Sequence, residues 1–420
     1  MQLGFNNDLY VEIQSKKIKE KIKQFDKLYL EFGGKLFDDY HASRVLPGFA
    51  PDSKIKMLAE LKEITEIIIC INAGDIERKK VRADYGITYD MEVLRLIDEF
   101  KALELNVNSV VITLYKGESS AKKFQNQLEK RGIKTYIHTP TAGYPTNVDI
   151  IVSDEGYGAN AYIETTKPLV VVTAPGPANG KLATCLSQLY HEYKHGIKAG
   201  YAKYETFPVW NLPLKHPVNV AYEAATADLK DVNMIDSFHL EKYGITAINY
   251  NRDLEVFPVL KAILNKITGK DIYYSPTDMG VNMIGSCIDD DKLVAEAGCQ
   301  EIIRRYYKAA CDAKTGIGDE ETAQRINILM NELEINPVAK RPVIESANTK
   351  SKAEDLPVIA LQLPNGKIVT GKKTDLLSPA SALVLNAIKE LTNIPDEVYL
   401  LAPNVLEPIL KLKPKSHQGS

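Results

Sequence analysis

Cysteine is scarce in this chain and badly placed for crosslinking. Five cysteines occur in 420 residues (Cys70, Cys185, Cys287, Cys299 and Cys311), an odd number with no C-x-x-C pair. That excludes a disulfide framework and a cysteine zinc site. Charge of either sign is not in large excess: the formal net charge of -3 leaves no electrostatic footprint for nucleic acid or an anionic membrane. No apolar run approaches the ~20 residues that span a bilayer. The N-terminal stretch, Met1 to Phe25, lacks the apolar core of a signal peptide. Internal repeats and low-complexity tracts are also missing, which removes solenoids and disordered arms. What remains is an ordinary globular balance, 45% hydrophobic and 25% charged, long enough for two or three domains. These absences point to a cytoplasmic protein whose partner is a small molecule, not nucleic acid or membrane; a homo-oligomer stays open.

A regular alternation occupies the first half. Residues 8–25 have helical periodicity. Lys27 to Phe32 starts as a strand and breaks at Gly33-Gly34, and 52–64 resumes a helix. Apolar runs at Ile67–Ile71, Val110–Leu114, Lys134–His138, Val148–Ser153 and Leu169–Thr173 read as strands, with helices over 90–104 and 119–131 between them. Strands alternating with helices predict an α/β fold, a doubly wound, mostly parallel sheet with ligands beyond the strands' carboxyl ends. Tyr201 to Pro217, rich in aromatics and proline, reads as a long irregular segment. Residues 219–345 lean helical (220–229, 253–268, 291–313 and 319–334), and 338–355 read as a linker or exposed loop. An α/β pattern then returns: Val358–Leu363 and Lys367–Thr370 flank the hairpin signal Asn365-Gly366, followed by a helix over 378–392 and a strand at Val398–Leu401. The expected domains are 1–218, 219–345 and 346–420.

The richest stretch begins at Leu169. A β-branched run meets Ala174-Pro175-Gly176-Pro177-Ala178-Asn179-Gly180-Lys181, and a helix starts at once. Strand, Gly/Pro turn and helix N-terminus together present N–H groups and a positive dipole end to a phosphate. The expected anion or cofactor residues are Gly176, Asn179, Gly180, Lys181, Leu182 and Thr184, with Lys181 neutralising terminal oxygens. The match to G-x-x-x-x-G-K-[ST] is imperfect. Pro175 stands where the first glycine belongs, and Leu182 stands where the Mg²⁺-binding hydroxyl belongs, so ordinary P-loop hydrolysis is not expected. Asp154 and Glu155, ending the run from Val148, are the candidate Mg²⁺ carboxylates. The bland alternative is a turn that uses Pro and Gly for geometry alone.

Ten residues past Lys181 stands His191-Glu192-Tyr193-Lys194-His195, the H-E-x-x-H pattern of helical zinc peptidases. Two imidazoles one turn apart and a water-activating glutamate are what that chemistry needs, yet no clear third ligand follows. At 100° per residue from Leu182, His191 falls at about 180° and His195 at about 220°, away from the apolar face of Cys185, Leu186 and Leu189. The motif also lies about 15 Å along the axis from Lys181, so one reaction centre cannot use both. Zinc is therefore not the expected cofactor, and no metal ligand is assigned. A basic helix end facing a cleft or another domain is the favoured reading.

A second polar concentration sits at the exit of the first strand. Gly33 to Arg44 gathers Lys35, Asp38, Asp39, His41 and Arg44 near a flexible turn. Asp38, Asp39 and His41, with Lys181, are the candidate catalytic residues. Arg44 and Lys35, with Asp154 and Glu155, are the candidate substrate-binding residues. A charged surface loop is the competing interpretation.

Three stretches together resemble a family: Leu28–Phe49 (LYLEFGGKLFDDYHASRVLPGF), Val170–Tyr190, and Gly200–Met234 (GYAKYETFPVWNLPLKHPVNVAYEAATADLKDVNM). They are similar to the bacterial family called domain of unknown function 1846, and the resemblance covers essentially the whole chain. It implies an α/β N-terminal domain, a helical middle and a smaller C-terminal domain like the second domain of cytidine-deaminase-like folds. It does not imply deaminase chemistry, because no Pro-Cys-x-x-Cys with a His-x-Glu is present. Family members extend further at the C-terminus, so Lys415–Ser420 reads as a truncation or an expression scar. The leading expectation is an enzyme of group-transfer or ligase type that binds a nucleotide or phosphometabolite, ATP or another phosphate-containing ligand with or without Mg²⁺. The alternatives are a zinc metallopeptidase and a non-catalytic metabolite-binding or scaffold protein.

Overall fold

The computed structural model describes residues 3–82, 84–402, 404–408 and 411. Its centre is a parallel six-stranded sheet. The strands are β1 (Lys27–Phe32), β2 (Thr65–Asn72), β3 (Asn106–Thr113), β4 (Lys134–Ile137), β5 (Leu169–Thr173) and β6 (Ala199–Tyr204), in the spatial order β4-β3-β2-β5-β1-β6. Every residue of β5 is buried, as a central strand covered on both faces requires. The chain winds outward from β2 through β3 to β4, returns to insert β5 between β2 and β1, and ends with β6 outside β1. The winding direction reverses between β2 and β5, and such reversals open crevices at the carboxyl ends of the strands.

The helices that matter for the site are α1 (Asn7–Ile22), α2 (Tyr40–Val45), α3 (Ser53–Glu60), α4 (Tyr89–Ala102), α5 (Ser119–Lys130), α6 (Lys181–Lys194), α7 (Pro217–Ala225), α8 (Asn251–Thr268), α9 (Asp291–Lys314) and α10 (Glu320–Glu332). On one face of the sheet Tyr29, Val170, Val172 and Tyr201 form a buried core with Cys185, Leu186 and Leu189 of α6 and Phe257, Ile263 and Leu264 of α8. Period-two alternation then fixes what the flanking residues do. Tyr29 and Glu31 of β1 turn toward α6, while Phe32 turns the other way and stacks on Tyr204 at 4.4 Å.

Contacts divide the chain into two compact units, Met1–Leu329 and Met330–Ser420. In the second, α11 (Pro342–Glu354) precedes the antiparallel hairpin of β7 (Val358–Gln362) and β8 (Ile368–Lys372), and α12 (Pro379–Thr392) follows. The hairpin turns at Asn365-Gly366, as its sequence predicts.

Four segments differ from the sequence reading. Val148–Ser153 is not a strand: Val148–Ile151 is a short helix whose start is capped by Asn147, its Oδ1 accepting from the Ile150 N–H at 3.1 Å. Tyr201 to Pro217 is not irregular throughout, because Ala199–Tyr204 pairs with β1 as an edge strand. Residues 342–354, read as loop, form α11; none of its residues is buried, so no apolar periodicity could announce it. Val398–Leu401 is bend and irregular chain, not strand. The ending Lys415–Ser420 lies outside the described residues. Among the described residues no helix is long and apolar enough to cross a membrane.

Candidate active site

A cavity of about 510 Å³ opens beside the start of α6, lined among others by Glu31, Leu182, Lys203, Glu205, Trp210 and Asp253. Parallel register builds its floor. Glu31 of β1 stands level with Lys203 of β6, and both side chains point to the α6 face. The Glu31 Oε2 accepts from the Tyr201 hydroxyl at 2.7 Å, and its Oε1 lies 4.0 Å from Lys181 Nζ. Lys203 Nζ donates to both oxygens of Asp253 at 3.0 and 2.8 Å and lies 3.2 Å from Glu205 Oε1. One cation thus faces two carboxylates. Burial pushes the Glu205 carboxyl above its ordinary value, Lys203 opposes the rise, and the Asp253 charge adds to it. Glu205 nevertheless keeps a quarter of its side chain exposed, so solvent and ligand reach it. Gly33 makes this placement feasible: a Cβ there would stand 2.5 Å from Glu205 Cγ.

Across the cavity, burial pulls the Lys21 ammonium down to about 8, partly offset by Asp278. Its Nζ donates to the Asp278 carbonyl at 2.7 Å. The site therefore holds a carboxyl moved up and an amine moved down, both toward neutrality, which is the pattern of acid–base chemistry. Phe207, Trp210, Tyr243 and Tyr274 supply flat apolar wall.

The residues expected to receive a phosphate divide into two groups. Gly180 holds a left-handed φ of +76° as the N-cap of α6, and no side chain caps that helix. Leu182 lines the cavity, and Lys181, its side chain 12% exposed, reaches toward the lining residue Glu31. The others build the turn. Asn179 Oδ1 accepts from the Asn72 N–H at 2.8 Å, and its Nδ2 donates to the Gly176 and Pro177 carbonyls at 3.0 and 2.9 Å. Gly176 lies so close under Tyr89 that a Cβ would stand 2.3 Å from its hydroxyl. Thr184 is 1% exposed and accepts from Cys70 Sγ at 3.4 Å, so it is turned into the core and away from any ligand.

The residues after β1 do not converge on this cavity. Asp39 caps α2 through the Ala42 N–H and pairs with Lys54 Nζ at 2.7 Å; burial raises its carboxyl, but Lys54 outweighs that and holds it below the ordinary value. Asp38, at φ +55°, accepts from the Tyr85 hydroxyl. Lys35 pairs with Asp84 at 2.5 Å. His41 Nδ1 lies 3.3 Å from Glu301 Oε1, and Arg44 donates to Glu301 through Nε at 2.9 Å. Asp154 and Glu155 are exposed at the other end of α6, where Asp154 accepts from the Tyr190 hydroxyl at 2.8 Å and pairs with Lys194. Tyr190 is nine residues beyond Lys181, about 13 Å along the axis, so the expected carboxylate partners of the loop are not beside it.

The H-E-x-x-H residues are engaged in packing. Glu192 is fully buried; its Oε1 accepts from Lys27 Nζ and the Tyr29 hydroxyl, each at 2.7 Å. His191 Nε2 lies 2.8 Å from the Asn160 carbonyl, and the His195 ring lies 4.8 Å from that of Tyr162. Among the described residues no group of three or more His, Cys, Asp and Glu is placed to hold a metal.

Sequence reading missed Glu31, Lys203, Glu205, Asp253 and Lys21 as one site. The signal was present in Ala199-Gly200-Tyr201-Ala202-Lys203-Tyr204-Glu205: residues 201, 203 and 205 alternate, and the edge strand Ala199–Tyr204 sets 201 and 203 on one face with 205 just past its end.

The family comparison follows the same division. The model described as "Domain of unknown function DUF1846, N-terminal" matches residues 3–334, and its C-terminal counterpart matches 339–420. The chain belongs to the DUF1846 family. A "UPF0371 protein" of Clostridium botulinum (strain Alaska E43 / Type E3) is 59% identical over 424 residues, covering 99% of this chain and 84% of that protein. A UPF0371 protein of Clostridium tetani is 59% identical with the same coverage, and one of Clostridioides difficile is 58% identical, covering 99% of this chain and 85% of its own length. The DUF1846 N-terminal match thus contains the whole sheet, α6 and the cavity.

Proposed function

We propose that this DUF1846 protein is an enzyme acting on a small phosphorylated metabolite of the nucleotide class, by group transfer or ligation. The phosphate rests on the first turn of α6. The free N–H groups of Lys181 and Leu182 and the helix dipole receive it, and Lys181 Nζ neutralises it. The aromatic wall of Phe207, Trp210, Tyr243 and Tyr274 takes the flat organic part. Glu205 and Lys21 are the proton-transfer groups, and Lys203 orients Glu205. The observation that carries this reading is an uncapped helix start whose Leu182 lines the same cavity as the Lys203–Glu205–Asp253 cluster, with Lys181 4.0 Å from the lining residue Glu31. ATP with Mg²⁺ is the first ligand to try, although Thr184 offers the metal no hydroxyl. We read the C-terminal unit, a hairpin with flanking helices, as deaminase-like in fold without deaminase residues.

Thermal melting against nucleotides and sugar phosphates tests the binding half. At least one such ligand raises the wild-type melting temperature, and Lys181→Ala removes the rise. A flat response of wild type across the panel contradicts the reading.

A further inference from the structure

Glu301 of α9 is the meeting point of an unusual number of cations. Its side chain is 1% exposed, and it accepts from Arg304 Nε and Nη2 at 2.6 Å each, from Arg44 Nε and Nη2 at 2.9 and 3.3 Å, and from Arg305 Nε at 3.0 Å. His41 Nδ1 also lies 3.3 Å from it. The sequence reason is simple: Arg304 and Arg305 stand three and four residues after Glu301 on one helix, and Arg44 reaches across from α2.

Charge does not balance here. Three guanidinium groups, always protonated, share a single carboxylate, and among the described residues no other acid pairs with any of them. Each arginine spends its Nε edge on Glu301 or, through Nη2 of Arg305, on His41. The Nη1 ends have no partner among the described residues. The side chains keep 40% (Arg44), 38% (Arg304) and 24% (Arg305) of their exposure, so those ends are reachable. The strain appears in Arg305: burial pulls its guanidinium below the ordinary value, Glu301 opposes this, and the Arg304 charge adds to it. A structural ion pair needs one arginine per carboxylate. Three forks fixed by one buried anchor, with outward donors unused, are arranged for a second anion.

We propose that Arg44, Arg304 and Arg305, held in place by Glu301, form a binding site for a phosphate group, separate from the start of α6. The ligand chemistry is a tetrahedral dianion taken by forked hydrogen bonds, and a phosphorylated metabolite or free phosphate would satisfy it equally. Glu301 acts as the organiser: it orders the forks and neutralises one charge of three, leaving a net attraction for a dianion.

Calorimetric titration of the full chain with inorganic phosphate, then with pyrophosphate, decides the matter. Wild type binds phosphate saturably. Arg304→Gln and Arg44→Gln each weaken binding at this site at least about tenfold, and Arg304→Lys restores part of the loss because charge returns without the fork. Arg131→Gln, at an exposed arginine elsewhere, changes nothing. Lys181→Ala separates the two sites: it leaves binding at the arginine site intact and removes only binding at α6. If Lys181→Ala abolishes all phosphate binding while Arg304→Gln and Arg44→Gln leave it unchanged, the arginine site is overturned and the α6 reading survives. If the arginine variants abolish all binding while Lys181→Ala has no effect, the arginine site stands and the α6 reading fails. No saturable binding of either probe to wild type overturns the arginine site outright.

Discussion

The two ends of α6 carry the two most suggestive motifs of the chain, and they are built differently. At its start Gly180 caps without a side chain, and Lys181 stands 4.0 Å from Glu31 at the edge of a cavity. At its end Glu192 is fully buried between Lys27 and Tyr29, and His191 rests on the Asn160 carbonyl. One fourteen-residue helix thus joins a terminus with donors to spare to one whose glutamate meets its counter-charge inside the core, although Glu192 Oε2 has no hydrogen-bond partner. The spelling of a motif does not distinguish the two; the state of its partners does. A functional carboxylate or cation keeps unmet capacity toward a space, whereas a structural one spends it on the fold.

Substitutions break this comparison most visibly at the matched end. Glu192→Ala leaves Lys27 buried without its counter-charge and costs about 3–5 kcal/mol, read as a shift in the urea midpoint. A loss near zero would show that Glu192 is as unspent as Lys181. Acid comes next. Burial raises the Glu301 carboxyl, but Arg304, His41 and Arg44 outweigh it and hold it far below the ordinary 4.5, and Asp39 is also held below its ordinary 3.8. A carboxyl depressed in the folded state stabilises above its unfolded value and loses that contribution as pH falls through the folded one. Melting temperature should therefore fall as pH drops below 4.5, and Arg304→Gln should flatten that fall.

Smaller effects sharpen the contrast at the cavity. Gly33→Ala drives a Cβ to 2.5 Å from Glu205 Cγ, costs about 1–3 kcal/mol, and displaces Glu205 from Lys203. Ligand response should drop by more than that loss of stability explains. Glu205→Gln moves stability the other way. Its carboxyl is raised in the folded state, so ionisation weakens the fold at neutral pH, and the amide removes that penalty. Melting at pH 8 should be unchanged or higher; under the proposed acid–base role, turnover of the ligand that stabilises wild type is lost, the trade expected of a catalytic group. A large fall in stability would mark Glu205 as structural instead.

The interior of the sheet was legible from sequence because burial on both faces leaves unbroken β-branched runs, as at Ile67–Ile71 and Leu169–Thr173. Its edge was not. In β6 small residues and a lysine dilute the pattern, and that strand carries Lys203, so missing it hid the cavity. The Val148 segment failed for the opposite reason: four apolar residues fit a strand and a single capped turn equally well, and only Asn147 decided between them. The Ala174–Gly180 turn does follow a strand's carboxyl end as the sequence suggests, yet the duties of Asn179 and Thr184 depend on Asn72 and Cys70, far away in sequence. Arg44 and His41 were singled out, but their anchor Glu301 lies more than 250 positions further on, beyond any local pattern.

The smallest structural perturbation is also the sharpest test. Lys181→Ala should cost about 1 kcal/mol or less, because its ion pair is long. Differential scanning of wild type and Lys181→Ala, with and without ATP and Mg²⁺ or the best phosphorylated ligand of the panel, compares like with like. The account predicts a ligand-induced rise in wild type and none in the variant, with nearly equal melting temperatures in the absence of ligand. An equal rise in both proteins would contradict it.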